Sequence, residues 1–356
     1  MERTHMARQE PGNPHVGAIA EQLGISASTV SKVINGRPGV AAKTRRRVEK
    51  ALADEGYAHP LVSTKIAQTI ELVVDYIANN GTIEMIRYAS KWALDAGLAL
   101  TVTQTDHQRR AEECLRGIID RNPLGVITQM SSIDQEGKNV LKARGIPLVA
   151  VDPVDLVNDE DMSITLDNWT GGYQAAKCLL DAGHRSIGVI AGPANVQSAQ
   201  ARLAGYRAAL AAIGASLPSN MVQQGDYLPD RGYQAACDLL DRADRPTAIL
   251  ACNDLTAVNI YRAARERGLE PGQDLSVVGF DNVYPSSYLM PALTTVDQPF
   301  DLMARMAVGM IINARQGKEF QRHVVMPTRL VSRHSVVNLT RARRLRSEDR
   351  VQESAQ

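Results

Sequence analysis

The sequence predicts a small all-α head followed by a larger α/β core made of two doubly wound parallel-sheet lobes. Residues 15–57 contain three short apolar stripes at helical spacing. After residue 70, short β-branched runs alternate with longer amphipathic segments, in pairs of about 25 to 35 residues. A chain of 356 residues with 44% apolar side chains is long enough to bury the cores of two or three domains.

The head is predicted from its stripes and from the turn between the first two. Each stripe would face one shared core. Gly24 permits a left-handed turn, and Ser26 can cap the backbone N–H groups that open the next helix. This order of helix, tight turn and helix is typical of a helix-turn-helix motif. The stripe residues are Ile19, Ala20, Leu23, Val30, Val33, Ile34, Val48, Ala51 and Leu52.

The second predicted helix leaves Ala27, Ser28, Ser31 and Lys32 opposite its apolar side. Small or hydrogen-bonding side chains suit a helix that lies in the major groove, because bulk would hold it off the base edges. Residues 15–57 also carry seven basic and four acidic residues, which favours a polyanionic partner. Charge alone fits a solvated bundle equally well, so the prediction of DNA binding rests on the turn spacing.

Three segments lack this periodicity. Residues 1–14 mix charge, glycine and proline, and residues 339–356 are charged without an apolar stripe, so both are predicted to be disordered. Residues 58–70 are predicted to form a hinge linker between head and core. The tail shows no leucine heptad, which favours a homodimer over a tetramer.

The core, residues 71–338, is predicted from its strands. Runs such as SIGVIAG are apolar throughout, as strands covered on both faces must be, so the sheets are predicted to be parallel. The series restarts near residue 167 and indicates two lobes, 71–168 with 299–326 and 169–298 with 327–338. The predicted strands cover residues 71–77, 99–105, 125–129, 148–151, 186–191, 222–224, 248–251 and 275–280. The predicted helices cover residues 83–96, 169–182, 197–213, 231–240, 255–267 and 300–316.

A cleft between the lobes, at the carboxyl ends of the strands, is the expected binding site. Polar side chains with hydrogen-bond donors and acceptors in fixed geometry stand at or near the ends of the predicted strands. A strand-end Asp or Asn such as Asn253 can instead cap the following helix, and Arg202, inside a predicted helix, can form an exposed ion pair. The candidate residues are Asp152, Arg202, Asn253, Asp281 and Gln298.

Two sets of motifs resemble the LacI/GalR family of transcription regulators. The segment IAEQLGISASTVSKVINGRPGVAAKTRRRVEKALADEGY resembles the DNA-binding head of that family without a gap. The motifs DAGHRSIGVIAG, SAQARLAGY, LACNDLTAV, and DLSVVGFDN followed by PALTTVDQPF resemble its sensor core, which has the periplasmic-binding-protein-like type I fold. Together the resemblance covers about residues 15–338.

For the head, the resemblance implies that Ala27, Ser28 and Lys32 read base edges. Ala27 departs from the large polar residue that many relatives carry there, and alanine offers only apolar contact, for example to a thymine methyl group. Contacts to the DNA backbone are expected from Thr29, Ser31, Asn35, Thr44 and Tyr57. By its spacing from Tyr57, Ile66 falls where the family inserts a leucine into the minor groove, so it either wedges between base steps or packs on the core.

For the core, the resemblance implies that the effector is bound by Arg202, Asn253 and Asp281, with Asp152, Tyr227 and Gln298 beside them. Tyr227 stands where relatives place an aromatic residue that stacks on the apolar face of a sugar. Aromatic residues make up only 4% of the chain. This favours a small, polar effector held mainly by hydrogen bonds.

Motifs for other functions are missing from the sequence. It contains no HExxH, GxxxxGK[ST] or GxSxG motif and no dinucleotide fingerprint, and its seven histidines are scattered without metal spacing. No catalytic residue, metal or cofactor is therefore expected, and the protein is not predicted to be an enzyme. The four cysteines are expected to be reduced core residues. A polar amino terminus and the lack of a long apolar run favour a cytoplasmic protein rather than a secreted or membrane one.

The sequence therefore predicts a sequence-specific DNA-binding transcription regulator, a repressor, that binds palindromic double-stranded operator DNA as a homodimer. A small effector, a sugar, would control its operator affinity. A soluble sugar-binding protein and an α/β enzyme acting on a sugar or nucleotide are the alternatives. The head disfavours the first, and the lack of a paired acid and base disfavours the second.

Overall fold

The structure is a computed structural model that describes residues 15–34, 39–54, 66–77, 80–105, 111–130, 133–154 and 158–340. The helices in these ranges are α1 His15–Leu23, α2 Ala27–Ile34, α3 Ala42–Asp54, α4 Asn80–Asp95, α5 Ala111–Arg121, α6 Gln135–Ala143, α7 Asn168–Asp181, α8 Gln197–Ala211, α9 Pro229–Leu240, α10 Asp254–Arg265 and α11 Phe300–Arg315. The strands are β1 Ala67–Val74, β2 Ala99–Gln104, β3 Pro123–Gln129, β4 Leu148–Val151, β5 Met162–Leu166, β6 Ile187–Ala191, β7 Val222–Gln224, β8 Ala248–Ala251, β9 Ser276–Asp281, β10 Thr294–Asp297, β11 His323–Met326 and β12 Arg329–Val331.

The head consists of α1, α2 and α3 around a small core of its own. Eight of the nine predicted stripe residues are buried there, and Leu23 is half-buried against them. Gly24 takes the left-handed conformation, with φ +65°, and the Ser26 hydroxyl accepts a hydrogen bond from the Thr29 backbone N–H at 3.1 Å. The predicted turn and cap are therefore both present.

The first lobe is a six-stranded sheet in the order β11-β5-β4-β3-β1-β2, and all of its strand pairs are parallel. On one face α11 packs over the centre of the sheet beside α4. The other face is covered by α5 and α6, through a separate cluster that includes Ile118, Leu141 and Ile146. Apolar strands covered on both faces explain why this sheet is parallel.

The second lobe repeats this arrangement with the order β12-β10-β9-β8-β6-β7, in which only the short β12 runs antiparallel. Helices α9 and α10 cover one face. On the other face, α7 and α8 belong to a buried cluster that continues into the first lobe, so the two lobes share apolar contacts. Two close-approach glycines let α7 and α8 meet, because a Cβ at Gly172 would lie 2.3 Å from the Arg202 carbonyl oxygen and one at Gly205 would lie 2.2 Å from that of Trp169.

The chain passes between the two sheets three times. It leaves the first after β5, returns from β10 into α11, and crosses again between β11 and β12, so that β11 completes the first sheet and β12 the second. The carboxyl ends of the parallel strands of both lobes consequently face a shared cleft.

Several predicted boundaries are wrong. Residues 67–70, assigned to the linker, belong to β1, where Thr69 and Ile70 pair with Ala99 and Leu100. At the other end, Leu339 donates a backbone hydrogen bond to the Ala182 carbonyl at 2.8 Å, so the core continues to residue 340. The predicted arm 1–14, residues 55–57 of the predicted head, residues 58–65 of the predicted linker and the tail from 341 lie outside the described residues.

The cysteines are only partly where the sequence places them. Cys237 and Cys252 are buried core residues, whereas Cys114 and Cys178 are half-buried, and all four are free. In the described part of the chain, no helix is long and apolar enough to cross a membrane.

Candidate functional site: an interlobe cleft and an exposed reading helix

The six residues predicted to bind the effector line one cleft between the lobes. Its volume is about 380 Å³, including the space at its open mouth. The second lobe contributes Arg202, Tyr227, Asn253 and Asp281, and Asp152 and Gln298 stand at the ends of β4 and β10. The sequence pattern therefore found polar residues that the fold brings together.

Arg202 on α8 is held from several directions, although it is only 4% exposed. Its Nε donates to Asn168 Oδ1 at 2.8 Å, and its Nη1 donates to the Cys252 carbonyl oxygen at 2.7 Å and lies 3.5 Å from Asp281 Oδ1. The guanidinium carbon also lies 3.6 Å from the centre of the Phe280 ring. A planar cation with its rotamer fixed in this way is preorganised for polar ligand groups, and the predicted alternative of an exposed ion pair is wrong.

Two buried carboxyls, Asp152 and Asp281, share the charge of this one guanidinium. Burial raises the pKa of both, to about 6 for Asp281, and the charge of Arg202 acts in the opposite direction. Gln298 Nε2 donates to Asp281 Oδ1 and fixes its orientation. One cation facing two carboxyls leaves the cleft rich in acceptors, which suits ligands that donate hydrogen bonds and disfavours anions.

Asn253 and Tyr227 occupy neighbouring positions on the second lobe. Asn253 caps α10, since its Oδ1 accepts from the Thr256 N–H at 2.9 Å, while its Nδ2 donates to the Tyr227 carbonyl oxygen at 3.3 Å. The capping alternative is therefore correct, and it coexists with a place in the cleft wall. The Tyr227 ring passes over Gly192, where a Cβ would lie 2.5 Å from the ring, so glycine is needed at that turn.

The first lobe supplies cleft residues that the sequence reasoning missed. Gln129 ends β3, Met130 follows it, and Phe300 and Met303 stand in the first turn of α11. Among the described residues, the buried Gln129 Oε1 and Tyr227 hydroxyl have no hydrogen-bond partner, although Ser198 lies near the latter. A buried polar atom without a partner is costly, so these atoms mark positions where a ligand can form hydrogen bonds.

Backbone strain is concentrated at the same cleft. Met130, Asp152, Tyr227 and Asp281 all have positive φ, with Asp281 at +106°. Residues other than glycine adopt positive φ at a free-energy cost that other interactions in the fold must offset, and such strain clusters at ligand sites. The sharp turns aim these side chains from strand ends into the cleft.

On the head, the predicted reading residues are accessible. Ala27, Ser28 and Lys32 are exposed on α2, while Val30 and Val33 on the opposite side are buried. Nothing in the described part of the core covers this surface, so α2 can approach a duplex.

The predicted contacts to the DNA backbone are placed only in part. Ser31 is exposed, Thr29 and Thr44 are half-buried, and Asn35 and Tyr57 lie outside the described residues. Thr29 already takes part in the local cap, with its Oγ1 2.8 Å from Ser26 Oγ. Ile66 is half-buried directly before β1, and neither of its two predicted roles is decided.

Sequence comparisons match both parts of this architecture. Residues 18–60 match the model of bacterial regulatory proteins of the lacI family, and residues 176–336 match that of periplasmic binding protein-like domains. The HTH-type transcriptional repressor PurR of Klebsiella pneumoniae is 30% identical over 327 residues, which are 90% of this chain and 96% of that protein. PurR of Salmonella paratyphi B shows the same identity and coverage.

The chain belongs to the LacI/GalR family of transcription regulators. Solved LacI/GalR structures agree with this assignment. The transcriptional regulator CelR in complex with cellobiose superposes with a TM-score of 0.70 at 28% identity, covering 91% of this chain and 100% of that one. The lac repressor dimer bound to operator and the anti-inducer ONPF superposes with a TM-score of 0.67 at 28% identity, covering 92% and 100%. As a LacI/GalR member, the protein is a DNA-binding transcription regulator with an effector-binding core.

Proposed function

We propose that this protein is a sugar-responsive repressor that binds a palindromic operator as a homodimer. The observation that carries the proposal is the convergence of Asp152, Arg202, Tyr227, Asn253, Asp281 and Gln298 on one interlobe cleft. A cleft rich in acceptors, with one fixed guanidinium and two aromatic rings, Tyr227 and Phe300, suits a neutral polyhydroxylated ring. The CelR complex with cellobiose supports this ligand class.

The proposed contacts to bases follow from the exposed side of α2, and the proposed contacts to the phosphate backbone follow from the resemblance of the head to the LacI/GalR family. Ala27, Ser28 and Lys32 read base edges, and Thr29, Ser31, Asn35, Thr44 and Tyr57 contact the phosphate backbone. One head covers few base pairs, so two heads related by a two-fold axis read half-sites about 34 Å apart. Effector binding changes the angle between the lobes and thereby the spacing of the heads.

The dimer surface is proposed from exposed apolar side chains. Leu94 on α4 is 74% exposed, and Ile83 lies 11 residues earlier on the same side of that helix. On the second lobe, the loop before β10 exposes Tyr288 at 73% and Met290 at 78%. Exposed apolar groups of this size are typical of protein interfaces, and the relative solved on operator is a dimer. We therefore propose that a second copy of the chain covers these exposed apolar side chains.

The proposal is tested by selecting DNA from a random pool with the purified full-length protein, followed by gel shift on the recovered sequence. Lys32→Ala is expected to weaken binding to the selected sequence about tenfold and binding to random DNA much less, because Lys32 reads bases. Equal losses on both DNAs would contradict base reading. Failure of the wild-type protein to recover any sequence would contradict the function itself.

The effector is identified by thermal shift over monosaccharides, disaccharides, pentoses, purines and sugar phosphates. Gln129→Leu then tests the cleft, because it removes the unpartnered Oε1 and, of the bonds within the fold, only a long one of 3.5 Å from Nε2 to the Gly81 carbonyl oxygen. It is expected to weaken binding of the stabilising compound about 10- to 100-fold while operator affinity stays unchanged. Gln234→Leu, on the exposed side of α9, is the matched control. Unchanged compound affinity in Gln129→Leu would place the site elsewhere.

A further inference from the structure

Helix α6 of the first lobe contacts the head at both of its ends. Arg144, the residue that ends α6, donates from Nη2 to the carbonyl oxygen of Ile34, the last residue of α2, at 2.6 Å. In the first turn of α6, Glu136 Oε2 lies 3.9 Å from Arg46 Nη2 on α3. Arg144 lies eight positions after Glu136, which is about 12 Å along the helix axis. Two contacts this far apart fix the orientation of the head as well as its position.

The two contacts differ in strength. The side chains of Arg46 and Glu136 are 73% and 48% exposed, so their interaction at 3.9 Å contributes little. The guanidinium of Arg144 is enclosed between core and head, and burial lowers its pKa. It donates to a carbonyl at the carboxyl end of α2, where the helix dipole favours a cation. Arg144 is therefore the main attachment.

The chain on either side of α6 leads directly into the effector cleft. Before α6, β3 ends at Gln129 and Met130 follows it; after α6, β4 ends at Val151 and Asp152 follows it. All four residues line the cleft. Met130 and Val154 also pack against a small apolar cluster of the second lobe that includes Tyr227. Any change in the angle between the lobes must therefore act on this β3-α6-β4 unit, residues 123–151, at the carboxyl ends of both of its strands.

Docking on α6 does not block DNA binding. Ala27, Ser28 and Lys32 remain exposed while Arg144 holds the other end of α2. The contact therefore holds the reading helix in place with its DNA-facing side free, and it is not an autoinhibitory cover.

We propose that the β3-α6-β4 unit is a direct mechanical connection from the effector cleft to the reading helix, acting through Arg144 in parallel with the linker. Movement of the lobes displaces Met130 and Asp152, α6 follows as a rigid element, and Arg144 changes the orientation of α2. The inference rests on the proposed function for its biological meaning. The physical connection itself can be measured without DNA or effector.

The test is hydrogen exchange of the α2 backbone amides in the full-length, DNA-free protein. Arg144→Met keeps the aliphatic stem but removes the donor, and it is expected to speed exchange of the amides of residues 31–34 about 5- to 20-fold. Arg144→Lys retains the charge and is expected to fall between wild type and Arg144→Met. Lys142→Met, on the same helix but paired with the exposed Glu160, is the control and should change exchange less than about twofold.

The link to the cleft is tested by Met130→Ala, which removes an interlobe contact far from the head. It is expected to speed α2 exchange about 2- to 5-fold in the wild-type background and to add nothing in Arg144→Met, because both act through one route. Additive effects of the two substitutions would overturn the proposal, as would unchanged α2 exchange in both single variants. Should the wild-type protein select no DNA sequence, the proposed function fails while these exchange results still decide the connection.

Discussion

At the scale of single residues, the cleft depends on how one guanidinium is shared. Burial acts to lower the pKa of Arg202, but its electrostatic interactions with Tyr227, Asp281 and Asp152 raise that pKa on balance. The arginine therefore stays charged, and it is the carboxyls that respond to pH. The ionisation of Asp281 is expected to change most between pH 5 and pH 7.5, because burial raises the pKa of its carboxyl to about 6.

The first prediction concerns pH. At pH 5 only about a tenth of Asp281 is ionised if its pKa is about 6, and a carboxylate accepts a sugar hydroxyl more strongly than a neutral carboxyl does. Effector affinity measured by titration calorimetry is expected to be about tenfold weaker at pH 5 than at pH 7.5. Asp281→Asn should bind weakly at both values, without this dependence. Constant wild-type affinity across the range would show that Asp281 does not accept from the ligand.

The raised pKa of Asp281 also affects stability. Effector affinity is expected to rise with pH, whereas the free energy of unfolding is expected to fall. The folded carboxyl keeps its proton up to about pH 6, whereas the unfolded one loses it near its ordinary value of 3.8. The native state therefore holds more protons in that interval, and the contribution of Asp281 to the free energy of unfolding falls as pH rises from about 4 to 6. Chemical denaturation across this range should show a shallower slope in Asp281→Asn than in the wild type, because the buried Asp152 and Asp254, whose pKa values are also raised, still contribute in the variant.

At the scale of elements, the close pairing of α7 and α8 places Arg202. Gly172 and Gly205 let the two helices touch backbone to backbone, and the carbonyl that a Cβ at Gly172 would strike belongs to Arg202. A methyl group there cannot be accommodated by a side-chain rotation, because the obstacle is main chain. The helices would have to separate.

Gly172→Ala is therefore expected to destabilise the protein by about 1 to 3 kcal/mol and to weaken effector binding, because Arg202 moves with α8. Gly309→Ala is the matched control, since Gly309 also lies within a helix, α11, but a Cβ there meets no atom within 4 Å. That control should be stabilised by about 0.5 to 1 kcal/mol through helix propensity. Thermal denaturation of both variants shows whether each is more or less stable than the wild type. Equal changes in melting temperature would contradict the packing argument.

The elements also show how far sequence reasoning reaches. Strands such as β6, β8 and β9 are wholly buried apolar runs and were predicted nearly to their ends. The strands β5, β10, β11 and β12 were missed because the predicted strands alternate with helices and these four depart from that pattern. No α-helix separates β5 from β4 or β10 from β9, and only two residues separate β11 from β12. Helix α6 was missed because QEGKNVLKA is mostly polar and contains a glycine.

The site was predictable in the second lobe more than in the first. Motifs around Arg202, Asn253 and Asp281 pointed to the cleft, and the structure brings these residues together. Gln129 carried a usable signal, as a polar residue at the end of a predicted strand. Phe300 and Met303 carried none, because apolar residues on an amphipathic helix look like core until the cleft beside them is known.

At the scale of the whole molecule, the proposed dimer gives a further prediction. Tyr288→Asp places a charge in the centre of the exposed loop that we assign to the interface, so it is expected to convert the dimer to a monomer in sedimentation measurements. Operator affinity should fall by at least about 100-fold, because one head reads a single half-site. Ile213→Asp, at an exposed apolar site after α8, is the control and should remain dimeric. A dimeric Tyr288→Asp variant would place the interface elsewhere.

The third crossing between the sheets has a consequence for any shortened form of the protein. The neighbouring strands β11 and β12 are separated only by Pro327 and Thr328, yet they complete different sheets. A premature stop or protease cut before His323 would thus strip an outer strand from both halves of the sensor at once. Neither lobe can be produced as a single continuous fragment. Truncation near this end is expected to abolish effector binding even when every side chain of the cleft is present.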